Sequence, residues 1–444
     1  MADKRLATLK KLLAHVHKEM GLEFGFYLWD GSTVPATLAP GALGVWLGDE
    51  GAVASLIRRP NAETLSNLWA SGRLDIRNGT IFDMVEKKPK VRTRDFRKSL
   101  NRLLALRTAS KFLFVSRGGP WPLEEISEEK PSSGDAAENK KNIGYHYDVS
   151  NAFYELWLDP EMVYTCSYYT DWDNSLAQSQ LDKLEMVCRR LRLKPGESVL
   201  DMGCGWGAFS IYAAKHYGVK TYGVTLSEQQ VAYANDKIKR LGLSDQCTIE
   251  LKDFAHVEGH DRFDKVAAIG MIEHVGLANF PTYFGTVHRV LKPGGLFLHH
   301  GIVRPGKHAT KKKKRAEFAA LTKYIFPGGE LDSISGNLTA LERHGFEVHD
   351  VEGWREHYMR TCRQWHDRLY ENREAAIREV GEVKYRIWLM YLGACSISFD
   401  RNNVGLYQTL ASKRVRGSVG LPPSRADLYR EPWQYKGRAP DQAS

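Results

Sequence analysis

A chain of 444 residues, 43% hydrophobic and 26% charged, reads as two globular domains with enough length to bury a large core. No apolar run of about 18 residues occurs, and the start, Met1-Ala-Asp-Lys-Arg-Leu6, lacks the apolar stretch of a signal peptide, so neither a membrane span nor export is expected. The formal net charge is +10, and the six cysteines (Cys166, Cys188, Cys204, Cys247, Cys362 and Cys395) form no Cys-x-x-Cys pair, which argues against a metal site and for a reduced, cytoplasmic setting.

Residues 1–115 read as a small mixed α/β domain. Turn signals at Asp30-Gly31, Gly72 and Asn78-Gly79 separate short strands, among them Gly44–Leu47 and Thr80–Phe82. Lys87–Arg117 holds eleven Lys or Arg against one acid, Asp95, with Phe96, Leu100, Leu103 and Leu104 at helical spacing. Residues 7–20 repeat the pattern more weakly, with Leu9, Leu12, Leu13, Val16 and Met20 apolar and Lys10, Lys11 and Lys18 polar. Two readings stand for such basic amphipathic helices. They rest on an anionic membrane surface, or they turn their apolar faces into the domain. Nucleic acid is disfavoured, because the block lacks stacking aromatics and base-reading motifs.

Residues 116–141, rich in Gly, Pro, Ser, Glu and Lys, read as a flexible linker. From 142 to 413 helices and strands alternate, as a doubly wound sheet requires. Strands are expected at Ser198–Leu200, Lys220–Val224, Cys247–Leu251, Lys265–Ile269, Leu296–His299 and Phe346–Val351. Residues 414–444 read as a basic, loosely docked tail. The central signal is Ser198-Val-Leu-Asp-Met-Gly-Cys-Gly-Trp-Gly207, a strand, a glycine turn, then the helical pattern from Ala208. Glycine serves where backbone turns sharply and approaches a ligand closely. The D-x-G-x-G-x-G spacing resembles the first motif of S-adenosylmethionine (SAM) methyltransferases rather than the dinucleotide G-x-G-x-x-G.

Five further segments make the resemblance specific. They are Tyr145-His-Tyr-Asp-Val-Ser-Asn-Ala-Phe153, Tyr164-Thr-Cys-Ser-Tyr-Tyr169, Gly223-Val-Thr-Leu-Ser-Glu-Gln-Gln230, Ile269-Gly-Met-Ile-Glu-His-Val-Gly276 and Lys323-Tyr-Ile-Phe-Pro-Gly-Gly329. In order and spacing they resemble the cyclopropane-fatty-acyl-phospholipid synthases, relatives of the mycolic acid methyltransferases. The resemblance implies a Rossmann-like SAM-methyltransferase sheet behind a small N-terminal α/β domain. It also implies methylene transfer from SAM to the cis double bond of unsaturated phospholipid acyl chains, at the inner membrane face, with bicarbonate as the base. It suggests a homodimer.

The site residues carry over from that resemblance. For the bicarbonate pocket they are Glu273, His300 and Tyr358 through side chains and Cys166 and Ile302 through backbone, with His300 chosen over His299 by the family's His-x-Ile pattern. Cys395 also falls in a matching segment, although the chemistry needs no thiolate. For SAM they are Gly203 and Gly205 beneath the methionine portion with Asp201 nearby, and Tyr164 and Thr165 closing over it. Thr225, Leu226 and Gln230 follow the second strand, and Asp253 and Phe254 lie at the adenine. Thr225-Leu-Ser227 stands where many methyltransferases carry an acid. The Lys311–Arg315 run departs from the family pattern and suggests a contact with anionic phospholipid. Other outcomes stay open: a methyl-branched or methylene product, O- or N-methylation of a small molecule, and a non-catalytic lipid-binding module.

Overall fold

The computed structural model describes residues 2–87, 95, 98–126, 149–306, 330–430 and 433. The Lys311–Arg315 run, the Lys323–Gly329 motif, residues 145–148 of the first motif, parts of the Lys87–Arg117 block and most of the linker and distal tail lie outside the described residues. The described chain divides into two compact units. The first takes the described residues up to 126 together with 380–393, and the second takes the others.

The first unit is built on four strands, β1 (Gly25–Leu28), β2 (Thr33–Val34), β3 (Gly44–Leu47) and β4 (Leu74–Arg77), in the order β2-β1-β3-β4. Leu28, Val34 and Leu47 meet Leu9, Val53 and Phe112 from the helices in one core. The helix Ala2–Met20 therefore turns Leu9 inward, with Leu6 and Leu13 against the same core, so for residues 7–20 the packed reading is the right one.

Thr80–Phe82 is not a strand. Thr80 caps the helix Ile81–Glu86, its hydroxyl accepting from Phe82 N while the Asp83 carboxylate accepts from Thr80 N at 2.6 Å. That reciprocal pair is a capping box, and it outweighs the β propensity of Thr-Ile-Phe. Two features depart from the domain limits read from composition. The helix Pro122–Ile126 lies inside the expected linker, with Leu123 buried and its N–H donating to Asn67 Oδ1 at 2.9 Å. Residues 380–393 join this unit through Arg386, which donates to Trp69 O at 2.6 Å, pairs with Asp75 at 3.0 Å and accepts from Trp69 Nε1 at its carbonyl.

The second unit carries a seven-stranded sheet. Its strands are β5 (Ser198–Met202), β6 (Lys220–Thr225), β7 (Cys247–Leu251), β8 (Phe263–Ile269), β9 (Leu291–Val303), β10 (Phe346–Gly353) and β11 (Gly405–Lys413), in the order β10-β11-β9-β8-β5-β6-β7. The five strands from β7 to β9 run parallel, and β11 is antiparallel to both of its neighbours. Six of these strands answer the sequence expectation; β11 was not anticipated. Helices cover both faces. On β5, Leu200 and Met202 enter one core and Val199 the other, as the period of two requires. The chain winds outward from β5 to β7 and then returns to β8, so the carboxyl ends of β5 and β8 form a topological switch point, where such sheets bind ligands. No helix among the described residues is long and apolar enough to cross a membrane.

Candidate functional site

The glycine corner leaves β5 with left-handed backbone at Gly203 (φ +75°), Gly205 (+55°) and Gly207 (+83°), which L side chains adopt only with strain. A Cβ on Gly207 would lie 2.5 Å from Ile249 Cδ1, so the turn is pressed onto β7. The N–H groups of Gly203 and Cys204 both donate to Val224 O at 3.0 Å, tying the loop to β6. Beneath it the Asp201 carboxylate accepts from Ser210 Oγ at 2.8 Å, and burial pushes its pKa up to about 6. At the end of β6, Thr225 Oγ1 donates to Gln230 Oε1 at 2.6 Å. After β7, Asp253 caps the turn Phe254–His256 through Ala255 N, and the Phe254 ring stands edge-on to Tyr283.

One cleft gathers seven of the ten residues expected at SAM: Gly203, Gly205, Thr225, Leu226, Gln230, Asp253 and Phe254. Val224, Lys252, Gly270, Met271, His274 and Val275 complete it, and these were missed. Four of the six stand in the Ile269–Gly276 motif, so their place beside Glu273 was the available signal. Asp201 supports the loop and does not line the cleft. Tyr164 is packed among Tyr154, Trp157 and Trp365. Thr165 stands behind Gly270, where an added Cβ would lie 2.8 Å from its Cγ2. The cleft fits SAM. A Cβ on Gly203 would lie 3.4 Å from Met271, and both residues line the cleft.

A second cluster lies past β8 and along β9. Glu273, on the short helix Ile272–Val275, accepts from Ile302 N at 2.7 Å through Oε1. Its Oε2 is buried with no partner, and burial pushes the carboxyl up to about 7. His300 and Ile302 are two residues apart and share one side of β9. Gln408 of β11 donates through Nε2 to His300 Nδ1 at 3.0 Å, which leaves the ring hydrogen on Nε2. That Nε2 is buried without a partner, and burial, with Lys183 nearby, holds the ring well below its ordinary pKa and neutral. His299 faces the other way, to Tyr283 OH at 3.1 Å, so strand alternation separates the two histidines.

Tyr358 packs against Phe399 and Trp365, and burial keeps its hydroxyl protonated, with Cys362, Glu273, Cys166 and Cys395 in electrostatic reach. Cys166 is fully buried, its thiol directed at Ser167 O (3.1 Å) and pushed up in pKa by burial. Trp354 joins the parts: its carbonyl lies 3.9 Å from Cys166 Sγ and its ring meets His300 edge-on. Behind both clusters, buried Lys183 donates to Thr165 Oγ1 at 3.0 Å and Gln180 donates to Thr165 O at 2.8 Å. Sequence reading singled out none of Lys183, Gln180, Trp354 and Gln408.

The model of the mycolic acid cyclopropane synthetase family matches residues 135–409. The chain is 34% identical over 429 residues to a "probable fatty acid methyltransferase" of Pseudomonas putida, covering 96% of this chain and 100% of that one. It is 36% identical over 274 residues to the cyclopropane-fatty-acyl-phospholipid synthase of Escherichia coli, covering 62% of this chain and 68% of that one. The solved cyclopropane synthase MmaA2 from Mycobacterium tuberculosis is similar with a TM-score of 0.59 at 27% identity, covering 62% of this chain and 98% of that one. Family model, full-length relative and fold agree with the glycine corner and its cleft: the chain belongs to the mycolic acid cyclopropane synthetase family and is a SAM-dependent methyltransferase.

Proposed function

We propose that the protein transfers the methyl carbon of SAM to a cis double bond of an unsaturated phospholipid acyl chain and closes a cyclopropane ring. The observation that carries this reading is a pair of buried, unpartnered atoms of opposite sense, the acceptor Glu273 Oε2 and the donor His300 Nε2. Buried polar groups are ordinarily satisfied, so such a pair favours a small polar guest.

In this reading Gly203, Gly205, Thr225, Leu226, Gln230, Asp253 and Phe254 hold SAM, which supplies an electrophilic methyl carbon. Asp201 braces the loop, and Tyr164 and Thr165 bound the site on its far side. An alkene carries no proton to remove before it attacks, so no activated Ser, Lys or Cys is needed. The alkene π pair would form the carbon–carbon bond as the carbon–sulfur bond breaks, its pair leaving with S-adenosylhomocysteine and a cation remaining on the neighbouring acyl carbon. One hydrogen of the transferred carbon then leaves as a proton, and its bonding pair closes the ring. Bicarbonate, held by His300 and Tyr358 side chains, the Cys166 and Ile302 backbone and the Glu273 carboxylate, would supply the base. Trp354, Tyr358 and Phe399 exclude water and offer π faces to a cation.

A second reading shares the first bond, but the cation loses its proton from a neighbouring acyl carbon, so the transferred methyl keeps all three hydrogens and the product is a methyl-branched chain that retains a double bond. It is favoured by the relative similar over 96% of this chain, whose name is that of a fatty acid methyltransferase. Both readings place the protein at the cytoplasmic membrane face. Mass spectrometry of lipid acyl chains after incubation with SAM bearing a trideuterated methyl separates them. A gain of CD2 in an acyl chain that resists ozonolysis is the expected result. A chain retaining CD3 establishes the branching reaction. Absence of any lipid product with SAM binding intact would sink both.

A further inference from the structure

The helix Arg102–Phe112 packs on the first unit through Thr108 and Phe112, both fully buried. At 100° per residue, Leu103, Leu106, Ser110, Leu113 and Phe114 fall on the opposite side. Helical backbone continues through Leu113. Leu103 is 78% exposed, Leu106 69% and Phe114 92%, with Leu113 about half exposed. Isolated exposed leucines are ordinary, but an aligned ridge ending in a bare phenylalanine is not.

The rim of the ridge has one sign. Arg102 and Arg107 flank it and are exposed, and residues 98–117 contain no Asp or Glu. Arg58 donates to Leu113 O at 3.2 Å and sets a further guanidinium at its C-terminal end. A symmetric contact with a second copy would bring these cations against themselves, since a two-fold interface must be self-complementary. An anionic bilayer has the complementary charge and an apolar interior for the leucines and phenylalanine.

We propose that this ridge is the membrane-docking surface of the protein: Leu103, Leu106, Leu113 and Phe114 enter the acyl boundary of an anionic bilayer while Arg58, Arg102 and Arg107 stay with the lipid phosphates. Interfacial helices bind in this way, with the apolar face sunk and the basic flanks at headgroup level. The inference rests on the acyl-lipid reading above only for its effect on turnover; vesicle binding tests it independently.

Full-length protein is floated with vesicles of dioleoyl phosphatidylglycerol and, separately, of dioleoyl phosphatidylcholine. Binding to the anionic vesicles is expected. Replacing Leu103, Leu106 and Phe114 together with Ser should weaken it at least about tenfold, because three apolar side chains no longer leave water. The thermal midpoint should stay unchanged, and Phe114→Ser alone should give a smaller loss in the same direction. Arg102→Gln with Arg107→Gln should bring binding down toward the phosphatidylcholine level. Triple-variant binding equal to wild type would overturn the proposal, as would a wild type that floats with neither vesicle. A triple variant that turns a dimer into a monomer while still floating would assign the ridge to a second copy and overturn it too. Turnover of detergent-dispersed phospholipid should survive the triple substitution. If the wild type makes no lipid product but the variant still loses the vesicles, the acyl-lipid function fails and the docking surface stands.

Discussion

The cofactor cleft and the Glu273–His300 cluster lie in one unit, yet they are made differently. The cleft is opened by left-handed glycines, Gly203 and Gly205 on a loop tied through Gly203 and Cys204 to Val224, and Gly270 after β8. It is assembled from consecutive strand ends. The second cluster is mostly side chain, drawn from residues 166, 273, 300–302, 358 and 408, and three of its polar atoms, Glu273 Oε2, His300 Nε2 and Gln408 Oε1, are left buried and unpaired. Backbone cradles hold a ligand by shape and tolerate modest change. Unpaired buried groups are costly to keep, on the order of 1–3 kcal/mol each, and they persist where a guest or a reaction needs them. Lesions in the two places should therefore separate binding from chemistry.

The largest effect should come from Glu273→Gln. The side chain keeps its shape and its acceptor toward Ile302 N but loses the ionisable oxygen. Turnover should fall by about 10²–10⁴, the range of a lost proton-handling group, while SAM affinity changes less than about twofold. The pH profile sharpens the test. With its pKa pushed up to about 7, Glu273 is the acceptor only when ionised, so wild-type activity should rise as pH increases through about 7. The residual activity of the variant should lose that rise. Stability moves the other way. A carboxyl whose folded pKa lies above its ordinary 4.5 imposes a penalty that is absent below pH 4.5, grows between 4.5 and 7, and is complete above 7. Glu273→Gln should thus be more stable than wild type above pH 7, by at most about 3 kcal/mol, and no different at pH 4. Equal pH profiles for the two proteins would remove Glu273 from the chemistry.

Gly203→Val attacks the other region. A Cβ there would lie 3.4 Å from Met271, which also lines the cleft, and φ of +75° strains any β-branched residue. The expected result is a SAM dissociation constant raised at least about tenfold together with a lower thermal midpoint, since such backbone strain costs about 1–3 kcal/mol. At saturating SAM, turnover should recover far better than in Glu273→Gln. Isothermal titration and saturation kinetics check both statements. If saturating SAM restores nothing, the cleft and the second cluster are not separable.

What was legible in the chain follows the same division. Local signals read well: the glycine corner, the strand Gly44–Leu47 and six strands of the larger sheet depend on neighbours in sequence. Thr80–Phe82 failed because the residues have β propensity while Asp83, one step further, completes a helix cap. Strand β11 was missed although Gly405–Lys413 pairs on both edges, because its partners lie over 50 and over 100 residues upstream. That omission hid Gln408, and with it the partner that fixes the His300 ring through Nδ1. Lys183 and Gln180 were invisible for a like reason: a helix gives no sign that two of its polar residues will be buried beneath Thr165. The two amphipathic helices of the first unit read alike in sequence, yet one buries its leucines and the other shows them to solvent.

The smallest effect should come from Cys395→Ala. Cys395 is half-buried and lies in electrostatic reach of Tyr358 and Cys362, so it borders the second cluster. A thiolate there would act as a nucleophile, and attack of an alkene on a methyl carbon has no use for one. The neighbouring thiols of Cys166 and Cys362 are held protonated by burial. Truncation removes one sulfur from a partly open position, with a packing loss of about 1 kcal/mol or less. Turnover should stay within about twofold of wild type, with the pH rise near 7 unchanged. A loss comparable to that of Glu273→Gln would instead place a sulfur in the chemistry and undo the division between a glycine-cornered binding cleft and a carboxylate–imidazole reaction site.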